Sequence, residues 1–385
     1  MEFKRAIEAD PSIAAAHNAL GHHYQRKGLL TKAADEFRTA ALLSGDYDSC
    51  FHLGRALGDL QRYAEAEEAF RQCLAIDADA PSARYELACV RYAQGQFAEA
   101  LTQFQSLADE FPEDWELKAA VADCYMGSRN YAGAERTLRE ALRTAPASAD
   151  TFSLREALLM ARRHLEFSPQ QALGFKDLLY AEHGVMCVGS GRDDGLDVPV
   201  YQNYTFTYSD VAMTCRRLLM LISEYPWRFN ALVSVDADSM PLAIALSQLL
   251  EVPVLRIEEL CEDDFALVVL AVGTQPELCE VTLEHVPGRM LSFAFALTWE
   301  PHQGLVTDIV GVHCSGRCTL PWKRLRKRSA VAAATSILRA LAIVPEEDNQ
   351  PQQIAYYRKE HKLLRFFDLS AEFVCQESSS KAPTR

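Results

Sequence analysis

From residue 2 to about residue 165 the apolar positions recur at spacings of three and four, the period of helices with one buried face. That pattern is itself periodic. Ala33, Ala66, Ala100 and Ala134 recur at a near-constant interval of about 34 residues. Four residues beyond each comes a bulky side chain, Phe37, Phe70, Phe104 or Leu138, and three before each comes Leu30, Tyr63, Phe97 or Tyr131. Thirteen before each stands Leu20, Leu53, Leu87 or Val121, followed directly by Gly21, Gly54, Ala88 or Ala122. Small residues let two antiparallel helices approach at their crossing, and the bulky ones fill the gap to the next unit. One such unit cannot bury its own apolar face, so stacking is what stabilises it.

These positions, with closing prolines at Pro11, Pro112 and Pro146, resemble the tetratricopeptide repeat. Residues 1–146 read as an all-α superhelix of a half repeat plus four repeats. The half repeat is EFKRAIEADP, where Phe3, Ala6 and Pro11 match a second helix; it either caps the stack or leaves an apolar face open to self-association or a partner. The turn glycine kept at Gly28 and Gly95 is Gln61 and Arg129 elsewhere, which predicts looser turns there. Residues 147–168 read as a capping helix and linker, with Phe152, Leu154, Leu158, Leu159 and Leu165 in helical register.

The resemblance implies a groove lined by the first helix of each repeat, suited to a peptide or helix of a protein partner. Its candidate residues are Asn18, His22, Arg55, Tyr85 and Cys89. They lack the Lys, Arg and Asn set with which co-chaperone members clamp a terminal carboxylate. His22 and His23 point about 100° apart on a helix, so the histidines here do not converge on a metal.

From residue 169 the period changes. GVMCVGSG predicts a strand and glycine turn, VPVYQNYTFTY a second strand or hairpin, and SDVAMTCRRLLMLISEY a helix capped at Ser209 and Asp210. Then ALVSV, DADS, MPLAIALSQLL and VPVLRI read as strand, loop, helix and strand, a parallel crossover unit. ALVVLAV and LSFAFALTW are further buried strands, and SAVAAATSILRALAIV a late helix. Residues 169–375 thus read as an α/β domain with a mainly parallel sheet, and 376–385 as a disordered tail.

Residues 205–312 resemble the phosphoribosyltransferase fold. In working members the strand equivalent to ALVVLAV ends in two acids that hold ribose hydroxyls, followed by a turn that cradles a phosphate. Here Ala271 and Val272 replace the acids, and Pro276 lacks an N–H. Asp263 and Asp264 lie at the opposite strand end, about 23 Å away at the usual rise per residue. The resemblance therefore implies a catalytically inactive relative. Any remaining ligand pocket would be lined by Asp236, Asp238, Ser239, Gly273 and Thr274, while Asp236 to Ser239 also read as a turn capping the next helix.

Composition narrows the function classes. A hydrophobic share of 49% with 24% charged residues is that of a core-forming chain. A net charge of -14 opposes a chain-wide nucleic-acid footprint. The longest apolar run, FALVVLAV, is far short of the roughly 18 residues that cross a bilayer as a helix. Eleven irregularly spaced cysteines fit reduced thiols in a cytoplasm. GSGRDDG lacks the spacing of a phosphate loop and reads as a hairpin loop, and HCSGRC offers too few ligands for structural zinc. Lys323, Arg324, Arg326, Lys327 and Arg328 form a basic patch, either a solvated face or an anion site. The resulting expectation is a non-enzymatic adaptor with no catalytic residue, cofactor or metal assigned, able to form homo-oligomers. The competing class is a nucleotide or phosphosugar sensor, or an active transferase, recruited through the repeats.

Overall fold

A computed structural model describes residues 2–149, 151–273, 283–298, 307–323 and 329–365. The chain divides into two compact units, Met1–Arg162 and Arg163–Arg385. No helix among the described residues is long and apolar enough to cross a membrane.

The first unit is helical throughout: α1 Glu2–Ala9, α2 Ala14–Gln25, α3 Leu30–Ser44, α4 Tyr47–Asp59, α5 Tyr63–Ile76, α6 Pro81–Ala93, α7 Phe97–Glu110, α8 Trp115–Gly127, α9 Tyr131–Thr144 and α10 Phe152–His164. The starts are locally encoded by side chains that accept otherwise unpaired N–H groups. Asp46 accepts the Ser49 N–H at 2.7 Å, and Asp114 accepts those of Glu116 and Leu117. Pro81 occupies a first turn, where its missing N–H costs nothing. All four register alanines are fully buried. The closest crossings need glycine: a Cβ on Gly21 would lie 2.7 Å from the Phe37 ring.

The turns at Gln61 and Arg129 are not looser than those at the glycines. Gln61 (φ 58°) and Arg129 (φ 59°) take the same left-handed conformation as Gly28 (φ 69°) and Gly95 (φ 77°). Each turn is closed by the same backbone bond, as in Arg62 N–H to Leu57 O and Asn130 N–H to Tyr125 O. Stacking dictates the geometry, and the side chain accepts the strain.

The second unit starts with α11 Phe175–His183 and β1 Met186–Cys187, then β2 Tyr204–Thr205, α12 Tyr208–Glu224, β3 Ala231–Ser234, α13 Met240–Leu250 and β4 Val254–Leu255. It continues through β5 Phe265–Gly273, β6 Arg289–Leu297, β7 Ile309–His313, β8 Cys318–Thr319, α14 Ala330–Ile343 and α15 Gln350–Ala355. Six strands form one sheet in the order β1-β7-β6-β5-β3-β4, every neighbouring pair parallel. β2 and β8 form a separate parallel pair. β5 shows why its sequence is apolar without interruption, since both of its faces are covered. Leu267, Val269 and Ala271 pack on one face with α12, α13 and α14, while Ala266, Val268 and Leu270 pack on the other with Leu179, Leu260 and Leu283.

Two sequence expectations differ from the structure, and one strand has no counterpart among them. VPVYQNYTFTY forms no hairpin with GVMCVGSG, because β1 pairs with β7 and β2 with β8, both in parallel. α12 is capped by Thr207, in a reciprocal arrangement that satisfies two N–H groups at once. The Thr207 side chain accepts the Asp210 N–H, while the Asp210 carboxylate returns to the Thr207 N–H at 2.8 Å. β7, which the hydrophobic pattern did not reveal, fills the gap between β1 and β6. Its Gly311 breaks the apolar run because a Cβ there would meet the Phe295 carbonyl oxygen at 2.3 Å, the close backbone approach that glycine in a strand often marks. The predicted tail at 376–385 lies outside the described residues.

Candidate functional site

In the second unit the chain runs from β3 outward to β4, then returns to β5 on the other side of β3. The order reverses between β3 and β5, and parallel sheets bind ligands beyond the carboxyl ends of strands at such a point. The turn after β3 carries the predicted residues. Asp236 Oδ1 accepts the Ser239 N–H at 2.8 Å and the Ser239 hydroxyl at 2.5 Å. Ser239 Oγ, fully buried, in turn accepts the Ala271 N–H at 2.8 Å, two residues before Gly273. Asp238 pairs with Lys323 Nζ at 2.6 Å, and its carbonyl accepts Trp322 Nε1 at 3.1 Å. The Gly273 carbonyl accepts the Thr298 N–H and hydroxyl at 3.0 and 2.8 Å.

The structure thus gathers Asp236, Asp238 and Ser239 with Lys323 at the ends of β3 and β5, and each carboxylate already has a partner within the protein. Thr274, Pro276, Arg324, Arg326, Lys327 and Arg328 lie outside the described residues. Asp264, at the amino end of β5, is held by Asn230 and the Cys261 N–H.

The turn after β1 is built on Arg217, a residue that sequence reasoning passed over. Its guanidinium, fully buried on α12, donates to Glu347 at 2.5 and 2.7 Å, to Asp193 Oδ1 at 2.8 Å and to the carbonyls of Val188, Ser190 and Asp193. Four of the turn's N–H groups are spent on its own acids: those of Ser190 and Gly195 on Asp193, those of Leu196 and Asp197 on Asp194. The turn is no hairpin loop, since it leads from β1 to the β2–β8 pair. Beside it, buried Lys176 donates to the Gly195 carbonyl at 2.6 Å with its Nζ 4.2 Å from the Tyr356 ring centroid; burial pushes this amine down to about 8. A lysine near the start of a short helix gave no sign of this in the sequence.

No group of three or more His, Cys, Asp and Glu side chains that would hold a metal ion occurs among the described residues. His313 stacks on Phe175 at 4.8 Å, apart from the chemistry suggested by HCSGRC. Cys314 is buried beyond β7, and Cys318 is held below the usual thiol range by Cys314 and then by Lys323.

In the first unit, α2, α4, α6 and α8 are the first helices of successive helical pairs, and each places side chains against the next pair. Models of the tetratricopeptide repeat match residues 2–48, 47–79 and 91–158. The first unit carries tetratricopeptide repeats. Among solved structures the chain is similar to MamA, at 20% identity over 37% of this chain and 84% of that one, with a TM-score of 0.35. It is also similar to YrrB, described as a TPR protein with an unusual peptide-binding site, at 23% identity over 38% of this chain and 76% of that one, with a TM-score of 0.36. The Pseudomonas aeruginosa pilF protein matches at 20% identity over 42% of this chain and 72% of that one, with a TM-score of 0.35. No curated protein matches the chain.

The five predicted groove residues of the tetratricopeptide repeats divide into two sets. Asn18 donates to Ser49 Oγ at 2.8 Å, and the His22 ring stands edge-on to Phe37 and His52 at 5.0 and 4.3 Å, so both join one repeat to the next. His17, bonded to Glu36 and the Pro11 carbonyl, is likewise structural. Arg55, Tyr85 and Cys89 instead border open surface. Arg55 Nε lies 3.4 Å from Glu86, and Tyr85, 37% exposed, stands edge-on to Phe104. Burial pushes the Tyr85 hydroxyl up to about 12 and the Cys89 thiol up to about 11. Three residues absent from the sequence-based set, Glu86, Phe111 and Asp114, join Tyr85 in lining a depression of about 370 Å³. In the sequence Glu86 directly follows Tyr85, and a charged residue beside an aromatic one on a helix is also an ordinary solvated face.

Proposed function

We propose that the protein is a non-enzymatic adaptor, in which the tetratricopeptide groove holds a peptide or helix of a protein partner. The observation that carries this reading is the depression around Tyr85 and Phe111, where aromatic rings 37% and 45% exposed border carboxylates instead of being covered by the protein's own helices. Large half-open aromatic rings are what peptide grooves use for anchors. A pull-down with the full-length chain tests it: the expected result is a partner whose capture is lost on Tyr85→Ala and Phe111→Ala, and capture indifferent to both changes would refute the groove.

In the same proposal the second unit is a phosphoribosyltransferase-like fold that no longer catalyses. Its support is the strand–turn–helix–strand unit β3-α13-β4 beside a β5 whose carboxyl end carries Ala271 and Val272, without a carboxylate to stabilise charge developing on a sugar. The pairing of Asp238 with Lys323, and of Asp236 with Ser239, favours a structural turn over a ligand pocket. Calorimetry of the full-length protein with phosphoribosyl pyrophosphate and nucleotides separates this from a sensor or an enzyme: no heat is expected, and a heat abolished by Asp236→Ala would establish the competing class.

A further inference from the structure

The depression on α6 and α8 has an unbalanced charge. Glu86 and Asp114 line it with carboxylates, while Glu116 adds its field at Tyr85 and Asp59 at Glu86. Further along the same face Asp123 acts on Tyr92, itself 38% exposed. Against these stands Arg55, whose Nε is 3.4 Å from Glu86. The other cations of the two helices are engaged with the second helices of the repeats: Arg84 with Glu110 at 2.7 Å, Arg91 with Glu67 at 3.5 Å, and Lys118 with Thr144 at 3.3 Å. They do not neutralise the groove.

Glu86 is also partly desolvated: its side chain is 28% exposed, and burial holds its carboxyl above the usual range despite Arg55. A desolvated carboxylate beside an exposed aromatic ring favours a ligand that brings a cation and an apolar group together, since the cation meets both the charge and the ring face.

We infer that this groove takes an extended segment of a partner protein carrying Arg or Lys next to a bulky apolar side chain, the apolar group seated between Tyr85 and Phe111 and the cation on Glu86. The inference rests on the adaptor reading and names its partner class. Such a ligand is the charge opposite of the terminal carboxylate that co-chaperone grooves clamp.

The test is a random-sequence peptide display library panned on the full-length protein, with affinities of the enriched peptides read by fluorescence anisotropy. Enriched peptides should pair Arg or Lys with an aromatic or aliphatic residue. Glu86→Gln should weaken them roughly tenfold, as loss of a charge-assisted hydrogen bond does. Replacing the peptide's arginine by citrulline, which leaves the protein untouched, should produce a similar loss. Enriched peptides that lack cations but lose binding on Phe111→Ala would overturn the inference and leave the groove standing. Enrichment that ignores Phe111→Ala, or no enrichment at all, would overturn both.

Discussion

A methyl group on Gly54 would come within 2.7 Å of Phe70, the residue that closes the same repeat sixteen positions later. The helices α4 and α5 are therefore in contact at the closest distance a backbone and a ring permit. The third and fourth repeats place fully buried Ala88 and Ala122 at the corresponding position.

Gly54→Ala should accordingly destabilise the repeat unit, by about 1–3 kcal/mol as overpacking does. Ala88→Gly should also cost stability, but through helix propensity, about 1 kcal/mol. Urea unfolding of both variants checks the pair; a neutral Gly54→Ala would show that Phe70 can withdraw from the crossing.

Gln61 and Arg129 sit at φ 58° and φ 59°, where an L side chain is strained. Gln61→Gly and Arg129→Gly should each stabilise the unit by about 0.5–1 kcal/mol, since relief of the left-handed strain exceeds the added freedom of glycine in the unfolded chain. The two sites share no partner, so the double variant should add. Thermal unfolding of the four proteins measures this.

Arg217 is the buried cation that holds Asp193 and Glu347 together. Arg217→Met leaves two carboxylates without their partner and should cost at least about 3 kcal/mol. Arg217→Lys should recover little, because one ammonium cannot serve both acids and three carbonyls at once. Denaturant midpoints compare the two variants.

Lys176 carries the pH dependence. Its amine is held down to about 8, against an ordinary value near 10.5 in the unfolded chain. Between these values the unfolded state binds a proton that the folded state has released, so stability rises with pH across that window and is flat below it. Wild type should therefore gain on Lys176→Met between pH 8 and 10.5, by at most about 3 kcal/mol, with no change in the difference below pH 8. Comparing the variant with wild type at each pH cancels the titration of the other tyrosines and thiols. A difference constant up to pH 10.5 would place the Lys176 amine at its ordinary value.

The repeat register was readable because helix pairs bury short-range contacts: an alanine, a ring four residues later and a small residue twelve before it all meet within one unit. The crossover from ALVSV to VPVLRI was readable for the same reason, and β3, α13 and β4 follow it closely. β7 was not, since a five-residue strand broken by Gly311 owes its existence to the strands on either side. Asp236, Asp238 and Ser239 share one turn because they are neighbours in the chain, but their partners were not legible. Lys323 and Trp322 reach Asp238 from more than eighty positions away, and Glu347 reaches Arg217 from 130.

By itself the sequence determined two architectures, a stack of helical pairs and a parallel sheet, because hydrophobic period is a local property of the chain. Tertiary structure decided what the polar residues are for. It turned Gln61 and Arg129 into left-handed turn residues, closed GSGRDDG onto a buried arginine, and gave Asp236 and Asp238 internal partners. It also left Tyr85 and Phe111 open beside Glu86. Burial and charge pairing depend on which distant side chains arrive at a position, and that information exists only once the chain has folded.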